Sequence, residues 1–69
     1  MSRKETVYRQ IEIYSQLIEQ QEELISTYSK LKSIRNSNDL DHRISAIQLQ
    51  IESNKKVLER YHHELKSIV

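Results

Sequence analysis

From Leu40 to Ile68 the chain steps by four and three residues through Leu40, Ile44, Ile47, Ile51, Asn54, Leu58, Tyr61, Leu65 and Ile68, and only Asn54 is not apolar. A two-in-seven stripe held without a slip is the seam of a coiled coil, along which one helix lays its edge on another. A helix carrying such a stripe is half of a pair. The rest of the chain has to be read for the other half.

The first half of the chain supplies a matching stripe. Val7, Ile11, Tyr14, Ile18, Gln21, Ile25 and Tyr28 repeat the same four-and-three step. With Ile11, Ile18 and Ile25 at heptad position a, the residues Val7, Tyr14, Gln21 and Tyr28 fall at d, and Leu17, Leu24 and Leu31 form a second ridge at g. An a/d/g face is about 120° wide, which suits a helix touching two neighbours in a bundle. The second seam is narrower, with Val57 as its one apolar g residue. Ser2-Arg3-Lys4-Glu5 fits the capping box S/T-x-x-E and marks a helix start. Asn36-Ser37-Asn38-Asp39 is the one turn-like cluster, where Asn36 suits a left-handed position after a helix and Asn38 or Asp39 suits the cap of the next. The expectation is one all-α domain over 1–69, with a helix at 3–35, a turn at 36–38 and a helix at 39–68. The turn is too short for anything but an antiparallel hairpin, and a single continuous helix is the structural alternative.

Composition agrees with an almost wholly helical chain. There is no Gly and no Pro in 69 residues, and turns and sheets usually call on both. The absence of Cys removes disulfide and thiol chemistry and favours a cytoplasmic location. The N-terminus is not followed by an apolar run, so neither a signal peptide nor a membrane span is expected. Charges of both signs make up 30% of the residues with a formal net charge of +1, which exerts no gross pull toward nucleic acid or membrane.

Folding the hairpin at its middle brings together residues whose numbers add to about 75. Gln21 then meets Asn54, Tyr14 meets Tyr61, and Glu22 approaches Lys55 on the flank. The two polar seam residues share one level, where a buried amide pair costs stability but penalises a slipped register. The same register pairs Leu17 with Val57 and leaves Leu24 and Leu31 beside Gln50 and Arg43. A lone hairpin half covers that ridge, so Leu17, Leu24, Leu31 and Val57 are the expected homodimer interface of an antiparallel four-helix bundle.

The remaining constellations are weaker. Glu59 and His62 have the Glu-x-x-His spacing of a di-iron half-site, but they fall at b and e, and no inward Glu on the first helix completes it. No metal, cofactor or catalytic residue is expected. Tyr8, at e, is a candidate contact residue, or simply covers the open end beside Val69. Lys30, Lys32, Arg35 and Arg43 make the hairpin tip basic and are candidate contacts for a partner or a phosphate, with Asp39 and Asp41 diluting them. Along the outer face, Glu52–Lys56 and Arg60–Glu64 have i,i+4 pairing distance in sequence. These features lead to a non-catalytic adaptor or regulator that self-associates and binds an unidentified protein through its outer faces. The layout resembles the Rop family of plasmid copy-control proteins, dimers of helical hairpins that recognise paired RNA loops. That resemblance implies an RNA-binding alternative, and no recognition residue carries over with it. A subunit of a larger hetero-oligomeric coiled coil is the third reading.

Overall fold

The structure is a computed structural model in which residues 2–35 and 38–68 are described. Two helices make it up, α1 over Arg3–Ile34 and α2 over Asn38–Ile68. The molecule measures 50 × 14 × 14 Å. That is one helix length and two helix widths, since 32 residues at 1.5 Å each span about 48 Å. The continuous-helix alternative would be twice as long and is excluded. Contacts at both ends fix the antiparallel sense. Arg3 pairs with Glu64 at the open end, and Lys32 pairs with Asp41 at the tip.

Local chemistry sets where α1 begins. Ser2 has an extended backbone (φ −76°, ψ 156°), and its Oγ accepts a hydrogen bond of 3.2 Å from the Glu5 amide. This satisfies one of the orphan donors of the first turn. The return half of the expected capping box, from the Ser2 amide to the Glu5 carboxylate, does not form among the described residues. At the other end the helix stops one residue earlier than expected. Arg35 is extended (φ −138°, ψ 98°) and serves as the C-cap, its amide donating 2.7 Å to the Leu31 carbonyl. The second helix correspondingly starts one residue early. Asn38, expected in the turn, is its first residue, so neither it nor Asp39 is a cap outside the helix. Asp39 and Asp41 lie in the first turn, where negative charge offsets the helix dipole. The left-handed conformation expected of Asn36 falls outside the described residues, as does the Val69 end that Tyr8 was expected to cover.

The seam follows the heptad reading. Val7, Ile18 and Ile51 are buried, while Ile11, Tyr14, Ile25 and Tyr28 of α1 and Ile44, Ile47, Leu58, Tyr61 and Leu65 of α2 are half-buried. Two helices have only one contact line, so most seam residues keep one flank in water. Tyr14 and Tyr61 meet across it with ring centroids 6.0 Å apart and planes tilted by 41°, within the range of favourable aromatic pairs. At the next polar level the Asn54 Nδ2 donates 3.0 Å to the Gln21 Oε1, and the Gln21 Nε2 donates 3.1 Å to the Gln50 Oε1. The seam amides therefore form a three-residue chain rather than a pair. Gln50 lies one turn before Asn54, so the side chain of Gln21 spans two adjacent rungs of α2.

Replacing this layer separates stability from specificity. The double variant Gln21→Leu/Asn54→Leu is expected to raise the stability to urea by about 1–2 kcal/mol, from apolar area gained at two half-buried positions. The same variant should lose the single register, visible as more than one set of NMR signals for Tyr14 and Tyr61. Asn54→Leu alone leaves the Gln21–Gln50 bond in place and should gain less. A double variant that keeps one set of signals for Tyr14 and Tyr61 would refute the register role.

Candidate interaction surface

The expected interface residues lie on one flank of the hairpin. Leu17, Leu24 and Leu31 are spaced one heptad apart along α1 and are exposed by 38%, 42% and 45%. Val57 of α2 is half-buried on the same flank, where the g positions of both helices run together. Three leucines open to water in a line contrast with the seam beside them, where the apolar residues other than the terminal Ile68 are buried or half-buried. Isolated exposed apolar side chains are ordinary, whereas these three form a periodic row on one helix face.

The same flank carries interactions that sequence reasoning missed. Both Nε and Nη2 of Arg3 lie 2.6 Å from the Glu64 Oε1. The hydrogen bond from Arg3 pulls the Glu64 carboxyl below its usual value, with the guanidinium charge adding to it, and the same bond raises the Arg3 pKa. Glu64 had been placed on the outer face as the partner of Arg60. It is half-buried at a g position and turns to α1 instead. Neither the Arg60–Glu64 nor the Glu52–Lys56 pair forms, and no ion pair joins Glu22 to Lys55 among the described residues. Exposed pairs of this kind gain little in water against the side-chain entropy of holding them. The signal for the Arg3–Glu64 clasp was present in the heptad: both residues occupy g, and g faces g in an antiparallel pair.

At the tip the four basic candidates part company. Lys32 is held by Asp41. Arg35 and Arg43 converge with Leu31, Asp39 and Leu40 on a concavity of about 230 Å³. Lys30 lies on the outer surface and does not line it. The cluster is thus two arginines beside an aspartate over an apolar floor, rather than a continuous cationic patch. Glu59, His62 and His63 are all exposed, and no group of three or more metal-ligating side chains forms among the described residues. Tyr8 is exposed by 52%, as a surface contact residue would be. No described helix is long and apolar enough to cross a membrane.

No protein-family model matches this chain, and neither a curated protein nor a solved structure matches it. Its interaction chemistry has to be read from its own surface.

The clasp at the open end predicts a pH dependence. A carboxyl whose folded pKa lies below its unfolded value contributes stability that is fully present above the unfolded value, about 4.3 for Glu, and is lost as pH falls through the folded one. The stability difference between the parent and Glu64→Gln should therefore be constant near neutrality and vanish on acidification through that window. High salt should shrink it at every pH. Parallel stability curves for the two proteins from pH 7 to pH 2, measured by urea unfolding, would show that the clasp contributes nothing.

Proposed function

We propose that this chain is a non-catalytic, cytoplasmic interaction protein. Two helical hairpins associate through Leu17, Leu24, Leu31 and Val57 into a four-helix bundle, and the outer faces of the bundle meet a further protein partner as an adaptor or regulator. The observation that carries this reading is the periodic exposure of the three leucines beside the a/d seam of α1. A chain of 69 residues with three buried side chains among those described is also poorly equipped to be stable alone. Catalysis needs polar groups converging in a cavity that excludes water. The concavity at the tip is lined by Leu31, Arg35, Asp39, Leu40 and Arg43, which include no nucleophile–base pair. The absence of Cys favours the reducing cytoplasm.

Nucleic-acid binding stands second, supported by the convergence of Arg35 and Arg43 at the tip. The engagement of Lys32 by Asp41 and the presence of Asp39 beside the arginines weigh against it. Titration with a labelled RNA at low and high salt tests it, since phosphate contacts weaken steeply with ionic strength.

Sedimentation of the purified chain at tens of micromolar should give twice the 8.3 kDa of one copy. Leu24→Glu places a charge at the middle of the ridge in both copies, and should weaken association by about a hundredfold or more from the lost leucine burial alone. A parent that sediments as a monomer refutes the homodimer, and leaves the ridge to a different chain. A dimer of unchanged strength in Leu24→Glu refutes the leucine ridge as its interface.

A further inference from the structure

The leucine ridge does not stand alone on α1. The neighbouring c row, one step further from α2, contains Thr6, Ile13, Gln20, Thr27 and Ile34. Read together, the g and c rows give a second four-and-three repeat from Thr6 to Ile34, centred roughly 110° around the helix from the a/d seam at 3.6 residues per turn. No charged residue falls in this strip, in a chain of which 30% is charged. Ile13 and Ile34 taken singly look like scattered surface residues. They interleave with the leucines, and both are exposed, Ile34 by 85%.

The polar members of the strip are prepared for burial. The Thr6 hydroxyl donates 3.3 Å to the Ser2 carbonyl, and the Thr27 hydroxyl donates 3.1 Å to the Glu23 carbonyl. Both threonines thus satisfy their donors within α1, and covering them strands no hydroxyl proton. Gln10 and Gln20 remain. Gln20 is the midpoint of the strip, and the pattern is nearly palindromic about it. Leu17 and Leu24 flank it, the β-branched Ile13 and Thr27 lie seven residues to either side, and the β-branched Thr6 and Ile34 lie fourteen to either side. The departure is Gln10 opposite Leu31. An isologous interface pairs each residue i with j and j with i, so a two-fold axis at Gln20 sets leucine against leucine and β-branched against β-branched side chains.

Accepting the self-association proposed above, we infer that the occupant of this strip is the strip of a second copy. The two α1 helices cross antiparallel, with the two-fold axis at Gln20. Two hairpins stacked on this flank can bring α1 onto either the partner copy's α1 or its α2. The matching rows of α2 carry Asp39, Arg43, Arg60 and Glu64, whereas those of α1 carry no charge between Thr6 and Ile34. Apolar surface therefore gains most by meeting α1. In that arrangement the tips, each with Arg35 and Arg43, lie at opposite ends of the dimer, and the amide of Gln20 meets its own copy, where each both donates and accepts.

A chain without Cys allows a direct test by single-cysteine disulfide trapping in the folded protein under mild oxidation. Gln20→Cys should convert most of the chain to a covalent dimer. Ile13→Cys alone and Thr27→Cys alone should stay uncrosslinked, and a mixture of the two should give the covalent heterodimer. A parent that dimerises in solution while Gln20→Cys and the mixture both fail to link places the interface elsewhere and overturns this inference alone. Self-linking of Ile13→Cys means a parallel arrangement and also overturns it. A monomeric parent overturns both this inference and the self-association on which it rests.

Discussion

The contact line between α1 and α2 is one side chain deep, and every other feature of the molecule depends on its being held in one register. A two-helix seam made only of Ile, Leu and Val tolerates slippage, because a four-and-three repeat moved by one heptad again places apolar on apolar. Gln21 ties the two helices at one level: its side chain donates to Gln50 and accepts from Asn54, and a one-heptad shift would break both bonds and set Gln21 opposite Ile47 or Tyr61. The Tyr14–Tyr61 contact and the clasps at the two ends follow from the same alignment. None of these need contribute much stability for the layer to decide which pairing is lowest.

Once that register is set, α1 and α2 stop being equivalent. The a and d rows of both helices are used against each other. The g row of α2 is largely polar, with Glu64 drawn toward Arg3 and Gln50 toward Gln21. From Leu17 to Leu31 the g row of α1 is leucine and the neighbouring c row is uncharged, and these residues stay exposed. The asymmetry is physical. A hairpin offers each helix one neighbour, and α1 carries apolar rows for two.

Much of this architecture is legible from residue spacing. The four-and-three steps from Val7 and from Leu40, with the polar cluster between them, are enough to place two helices and to pair Gln21 with Asn54 and Tyr14 with Tyr61. Charge pairing was far less legible. Glu22–Lys55, Glu52–Lys56 and Arg60–Glu64 have suitable spacing and do not form, whereas Arg3–Glu64 and Lys32–Asp41 do. Exposed charges choose partners by small differences in side-chain reach and entropy, and sequence distance does not encode those differences. The ends of the helices moved by one residue for a related reason, since caps are decided by which backbone groups find partners locally.

The sequence alone determined that this chain is helical, that it folds back once, and which residues line the seam. Those properties follow from side-chain periodicity and from the absence of Gly and Pro, and both are local or pairwise. Tertiary structure decided which surface remained. The g and c rows of α1 can be written down from spacing, but that Leu17, Leu24 and Leu31 stay open to water is decided only once α2 lies along the a/d face. Exposure depends on where the neighbouring helix is, and no spacing rule within one helix contains that.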